Sequence, residues 1–276
     1  MTAEQKTAGR DLSSSSVIDR RYVIRDTFNP DKNGVTYQVY DTVMGRPAKL
    51  RRLFSLSNIH DPLSAYRQYE RRSRFLNTYR RLAELSVSSL PTVYTFRLEG
   101  MGAYAVYADV SEVTLSEYIA CGGNRSYEEA KGLLMPVAVA LKMLHDGGVC
   151  HGNVSAASVR MQGKTAVLCD ATGDALSAEE DMKQLLMVML LVMYGQEFHD
   201  VSQTGALPLP EELKNCLEKA FSEEMHLTDD ELLLTVFQCR EIALGAAKAE
   251  MPPPKDILDL AQAYGTPVAR LITSLT

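Results

Sequence analysis

The stretch Val149-Cys-His-Gly-Asn-Val-Ser-Ala-Ala-Ser-Val-Arg-Met161 decides how the rest of the chain reads. A helical run, Glu128–His145, leads into it. Ser126-Tyr-Glu-Glu129 opens that run as a capping box, in which hydroxyl and carboxylate each take a backbone N–H that the first helical turn leaves free. Asp146-Gly-Gly148 stops the helix. A short strand-like run, Thr165–Cys169, follows the stretch, and Asp170-Ala-Thr172 closes it. The order is helix, polar loop, strand, acid, with one buried-type histidine, His151, at the head of the loop.

Upstream lie short apolar runs with strand alternation: Tyr22–Thr27, Thr36–Asp41 and Ala48–Phe54. Asn29-Pro-Asp-Lys-Asn-Gly34 and Met44-Gly-Arg-Pro47 separate them as turns, which predicts a three-strand antiparallel meander. Ser64–Leu85 is a long helical segment with Phe75, Leu76, Tyr79, Leu82 and Leu85 at helical spacing. Its arginines (Arg67, Arg71, Arg72, Arg74, Arg80, Arg81) make either a solvated face or a phosphate-reading patch. Thr92–Leu98 and Ala103–Val110 are two further strands. From Leu115–Ala120 onward the chain is helical: Leu185–Tyr194 reads as a buried core helix, followed by Pro208–Phe221 and Thr228–Ala247. Met251-Pro-Pro-Pro254 is a linker before a short helical pair, Asp256–Tyr264 and Pro267–Leu275. Strands first and helices after predict an α+β fold in two lobes: a flexible polar tail over 1–20, a five-stranded antiparallel lobe over 21–110, a helical lobe over 111–250, and a helical extension over 251–276.

The central stretch resembles the catalytic loop and metal-binding loop of protein kinases, H-R-D-x-K-x-x-N followed by D-F-G. His151 stands at the His, Asn153 at the catalytic Asp, Ser158 at the metal-binding Asn and Asp170 at the Asp of D-F-G. The N-terminal half extends the likeness to bacterial Ser/Thr kinases of the Hanks type. Gly34-Val-Thr-Tyr-Gln-Val-Tyr-Asp41 resembles F-G-I-T-Y-L-A-Y-D, and Ala48-Lys-Leu-Arg-Arg-Leu-Phe54 resembles V-A-I-K-E-Y-F, so Arg51 stands at the strand lysine. Arg74-Phe-Leu-Asn-Thr-Tyr-Arg-Arg-Leu-Ala83 resembles R-F-L-x-E-A-x-x-L-A, so Thr78 stands at its glutamate partner. Ala103–Ala108 resembles the last strand before the hinge, with Tyr107 at the gatekeeper, and Leu185–Gly195, led by Asp181, resembles the central helix of the lower lobe.

The resemblance implies a kinase-like fold, and the departures imply that its chemistry is gone. Phosphoryl transfer needs a glycine-rich phosphate loop, a lysine held by a glutamate, Asp and Asn on Mg²⁺, and an Asp that orients the acceptor. The loop Phe28–Gly34 keeps only its last glycine. Arg51 and Thr78 replace the ion pair. Asn153 has no basicity, Ser158 is a poor metal ligand, and Asp170 alone is a weak Mg²⁺ site. Lys49 and Arg160 fall where adenine needs apolar faces. Only ten residues separate Asp170 from Asp181, so the activation segment and A-P-E are deleted, and His226 stands where their arginine partner belongs. The expected protein is a pseudokinase with no catalytic residues, no cofactor, no metal and no ATP binding, acting as a scaffold or allosteric regulator through a protein partner. The alternatives are an unconventional nucleotide-using enzyme that keeps Asp170 as metal ligand, and a module reading phosphorylated or acidic peptides through Arg71, Arg74 and Arg81. His151 reads as a packed core histidine, Asp181 as an acceptor for the backbone around it, and the methionines Met182, Met187, Met189 and Met193 as core. His145, His151 and His199 lack metal-ligand spacing.

Composition sets the outer bounds. The 276 residues are 46% hydrophobic and 23% charged with a net charge of −6, which argues against a nucleic-acid partner. Five scattered cysteines without a C-x-x-C predict reduced thiols and a cytoplasmic setting. No basic-then-apolar N-terminal run is present and no apolar run is long enough to span a bilayer, so neither a secretory signal nor a membrane segment is expected.

Overall fold

Period-two alternation in the N-terminal third builds a sheet with two unlike faces. The computed structural model describes residues 17–239, apart from 29, 31–32, 55–61, 101, 112, 175–176, 199–200, 206 and 223. Six strands form the sheet: β1 Val17–Ile18, β2 Tyr22–Phe28, β3 Gly34–Asp41, β4 Arg46–Leu53, β5 Val93–Glu99 and β6 Gly102–Ala108. All pairs are antiparallel, in the order β1-β2-β3-β4-β6-β5. Ile18, Tyr22, Ile24, Val35, Tyr37, Val39, Ala48, Leu50, Tyr104 and Val106 close into one apolar cluster. The alternate positions of the middle strands are polar. Thr36 pairs with Arg51, Gln38 with Lys49, and Lys49 with Tyr107, so one row of polar side chains faces away from that cluster.

The sheet corrects the five-strand expectation. Val17 and Ile18, assigned to the polar tail by sequence, pair with Val23 and Tyr22. Asp19 and Arg20 take left-handed backbone and make the tight turn back, and Ile18 is buried in the core. Two apolar residues are too short a run for a periodicity reading.

Helix α1, Pro62–Glu84, packs on β5 and β6. It buries Phe75, Tyr79 and Leu82, while Leu85 is only half-buried. The second lobe holds α2 Leu115–Gly122, α3 Tyr127–Asp146, α4 Ala178–Tyr194, α5 Glu211–Phe221 and α6 Asp229–Thr235, with a 3-10 turn at Val201–Thr204. The capping box of Ser126 with Glu129 is realised on α3, and the structure adds one that the sequence reading did not name, Thr114 with Glu117 on α2. Between α3 and α4 runs a hairpin of β7 Val159–Gln162 and β8 Thr165–Leu168, turned at Gly163 with φ 64°. Sequence reading placed only the second of these strands.

Helix α6 ends at Thr235 instead of running on toward Ala247. Val236 and Phe237 turn inward and are buried, and Gln238 takes φ 53°, which breaks the helical path. The tail over 1–16, the end of that predicted helix beyond 239, the Met251–Pro254 linker and the helical pair after it lie outside the described residues, as do positions 29, 31 and 32 of the loop Phe28–Gly34.

Candidate functional site

Asp170 follows β8 with φ 61°, a left-handed conformation that Asp tolerates better than most residues. Its carboxylate oxygen Oδ1 accepts from Thr36 Oγ1 at 2.6 Å and from the Tyr107 hydroxyl at 2.6 Å. Arg160 Nη2 lies 3.6 Å from Oδ2. Thr36 sits on β3, Tyr107 on β6 and Arg160 on β7, so one carboxylate ties the sheet to the helical lobe. Burial alone would raise its pKa, but the Arg51 guanidinium, the two hydroxyls and Arg160 outweigh burial and hold it below the usual carboxylate range. Burial, with the Asp170 charge beside it, keeps the Tyr107 phenol protonated, so it acts as a donor. Arg51 is 1% exposed, with Nη1 3.5 Å from Thr36 Oγ1.

The polar face of the sheet therefore closes onto Asp170 and leaves almost no space. Thr36, Lys49, Tyr107, Val110, Ser111, Arg160, Cys169 and Asp170 surround a cavity of about 10 Å³, the volume of one water at most. A small-molecule pocket is some 300–1,000 Å³. Lys49, nearly buried, points its Nζ to within 3.5 Å of Asp109. Both cations that sequence placed at this slot thus line it.

The loop residues bond inward to the backbone. Asn153 Nδ2 donates to the Asp170 carbonyl at 3.0 Å. Ser158 Oγ donates to the Asn153 carbonyl at 2.7 Å and accepts from Ser155 N at 2.9 Å. Thr172 Oγ1 donates to the Gly152 carbonyl at 3.0 Å. Asp181, fully buried on α4, takes the backbone N–H of His151 at 2.6 Å and of Gly152 at 2.8 Å. The loop is held from both sides, by the backbone carbonyl of Asp170 after β8 and by the Asp181 carboxylate on α4.

No family model matches the sequence, and no curated protein matches it. Among solved structures, a chain described as PpkA-294 in its apo form, a fragment of a bacterial Ser/Thr kinase, superposes with a TM-score of 0.60. The match covers 85% of this chain and 100% of that one, at 16% identity. This chain has a protein-kinase-like fold.

Thr78, which the sequence resemblance set at the pairing glutamate, is buried on α1 and donates to the Cys150 carbonyl at 3.2 Å. Asp174, four residues after Asp170, stands 3.6 Å from both Arg71 and Arg74 of α1. Helix α1 is thus tied to the lower lobe by a neutral hydrogen bond and an arginine–aspartate contact. Arg81 is engaged as well, with Glu84 at 3.2 Å and the Met143 carbonyl at 3.2 Å. The three arginines named for phosphopeptide reading all have protein partners. His226, placed by sequence at a lost salt bridge, lies 3.3 Å from Glu179 in the first turn of α4.

Two histidines flank Asp181 and behave oppositely. His145 lies between carboxylates, Nε2 3.1 Å from Asp181 and Nδ1 2.8 Å from Asp229. Burial opposes its charge, but the two carboxylates overcome it and raise its pKa to about 9. His151 is fully buried with no protein partner for either ring nitrogen among the described residues, and burial lowers its pKa to about 4. The Asp229 contact was not legible in the sequence, because Asp229 follows His145 by 84 residues; only the fold brings them together.

His145, Cys150 and Asp181 also bring nitrogen, sulfur and oxygen within 4.8 Å of one another. Those groups are already satisfied. The imidazolium supplies the positive charge, Asp181 accepts two backbone N–H groups, and burial beside two carboxylates pushes the Cys150 thiol up to about 11. His199 lies outside the described residues. No helix among the described residues is long and apolar enough to cross a membrane.

The unpartnered His151 ring gives a direct test of its role. Replacing it with leucine removes a buried, unsatisfied polar group, which should raise stability by up to about 1–3 kcal/mol. Thermal denaturation by circular dichroism reads this. A clear fall in melting temperature would mean the imidazole does polar work.

Proposed function

We propose that this kinase-like domain transfers no phosphoryl group and works by binding another protein, as a scaffold or allosteric regulator. The observation that carries the reading is the closure of the cleft on Asp170. The carboxylate that would hold Mg²⁺ accepts two hydroxyl protons and faces Arg160, and about 10 Å³ remains where a nucleotide would lie. A metal–nucleotide does not fit these residues. Asn153 and Ser158 are bonded to loop carbonyls, so neither the base position nor the second metal position offers a free group. A domain that keeps a kinase-like framework in this state has its surfaces left to work with. The phosphopeptide alternative is weakened by the engagement of Arg71, Arg74 and Arg81, and the nucleotide-using alternative by the volume of the cleft.

The test is calorimetric titration of ATP at millimolar concentration, once with Mg²⁺ and once with EDTA. No binding heat is expected in either. Opening the cleft would mean breaking the Asp170 contacts, and that cost comes off any nucleotide affinity. Metal-dependent micromolar binding would overturn the reading in favour of a nucleotide-using enzyme. Metal-independent binding of ATP and of inorganic polyphosphate alike would favour a basic-patch function instead.

A further inference from the structure

A cavity far larger than the filled cleft lies against α4. Val154–Ala156, the α4 side chains Lys183, Met187 and Leu191, and the rings of Phe198 and Phe221 bound a groove of about 490 Å³. Met187, Leu191 and Phe221 are half-exposed. Such a face on a helix otherwise buried along its length is more apolar than a solvated surface needs to be.

The polar groups at the groove say what would cover it. Gln184 is used internally: its Oε1 takes the Val154 N–H at 2.8 Å, and its Nε2 donates to Glu180 at 3.2 Å. Lys183 places its Nζ 5.8 Å from the centre of the Phe221 ring, where the ring face attracts it. Glu180 and Glu197 stand exposed at the rim. The rim therefore carries two carboxylates against one partly engaged ammonium, on a chain of net charge −6. The floor is methionine, leucine and phenylalanine, which adapts to bulky anchors because the thioether is flexible and polarisable.

We infer that this groove is the docking site for a segment of a partner protein that inserts bulky apolar side chains between Met187, Leu191 and Phe221 and sets arginine or lysine against Glu180 and Glu197. The inference rests on the protein-binding reading above and names the surface and partner chemistry it leaves open. Arginine suits the rim best, since its planar fork bonds a carboxylate with two parallel N–H groups.

The experiment pans a phage-displayed random peptide library on the full chain, then measures labelled synthetic copies of the enriched peptides by fluorescence anisotropy. The proposal expects enriched peptides that combine an aromatic or leucine anchor with a nearby arginine or lysine. It expects at least about tenfold weaker binding to Met187→Lys, as for an anchor pocket. Glu180→Gln with Glu197→Gln, both at exposed positions that leave folding intact, should weaken binding and flatten its salt dependence. Equal binding to wild type and to all variants, enrichment of acidic peptides, or no enrichment would each overturn the groove while leaving the ATP titration as the separate judge of the protein-binding reading. Sedimentation of the free chain covers the other occupant: a dimer abolished by Met187→Lys would assign the groove to a second copy and overturn the partner proposed here.

Discussion

Replacing Asp170 with alanine is expected to lower the stability of the folded chain by about 3–5 kcal/mol, the range for breaking a buried charge network by removing one member. The carboxylate accepts from Thr36 and Tyr107 on one oxygen and faces Arg160 with the other, and Arg51 acts on it through space. Alanine leaves two buried hydroxyls without their acceptor and takes the negative charge away from buried cations. Tyr107→Phe, which removes one donor, should cost less, about 1.5–3 kcal/mol for a hydrogen bond to a charged group. The acid dependence follows from the lowered pKa. A carboxyl whose folded pKa lies below its unfolded value contributes stability above the unfolded pKa and loses it as pH falls through the folded one. Wild type should therefore lose stability on acidification through the carboxylate range more steeply than Asp170→Ala. Urea denaturation at several pH values measures both. A loss under about 1 kcal/mol would place Asp170 among surface-like ion pairs and remove the main support for a permanently closed cleft.

Replacing Asp181 with alanine is expected to be comparably severe, about 3–5 kcal/mol. Two buried backbone N–H groups, those of His151 and Gly152, lose their acceptor, and the His145 imidazolium keeps only Asp229. The pH signature separates this site from Asp170. His145, raised from 6.5 to about 9, contributes stability that is full below pH 6.5 and is lost as pH rises through 9. His151, lowered from 6.5 to about 4, has the opposite sign: the unfolded chain takes up a proton that the folded one refuses, so stability falls as pH drops from 6.5 toward 4. Stability should peak near pH 6.5 and decline on both sides. Asp181→Ala should flatten the alkaline limb, and His151→Leu the acid limb. An alkaline limb as steep in Asp181→Ala as in wild type would show that His145 is held by other groups.

What was legible in the sequence and what was not divide along physical lines. The strands β2 to β6, helix α1 and the helices α2 to α5 could be read because period and capping are local signals: Thr36–Asp41 alternates, and Ser126 with Glu129 declares its own helix start. Strand β1 could not be read, because two residues carry no period and their pairing with β2 depends on the turn at Asp19 and Arg20. The end of α6 was missed for a similar reason. Val236 and Phe237 are apolar enough to continue a helical pattern, and only the core they enter shows that they leave it. At the site, Arg51, Thr78, Asn153, Ser158 and Asp170 could be singled out by resemblance, but their partners were invisible. That Thr78 donates to the Cys150 carbonyl, or that Tyr107 reaches Asp170, involves contacts across 72 and 63 residues. A resemblance can single out a position; it takes coordinates to show what that position touches.

The inward bonding of the loop resists kinase-type side chains. Asp at 153 would turn a donor into an acceptor directly opposite the Asp170 carbonyl that Asn153 binds. Glu at 78 would push a carboxylate toward the Cys150 carbonyl, in a corner so tight that a methyl on Gly173 would come within 2.7 Å of the Thr78 hydroxyl. Lysine at 51 would leave Tyr107 still seated on Asp170. Each such change is opposed by a contact already in place, so a single codon change that is simple at the level of the gene is a costly one for the packing.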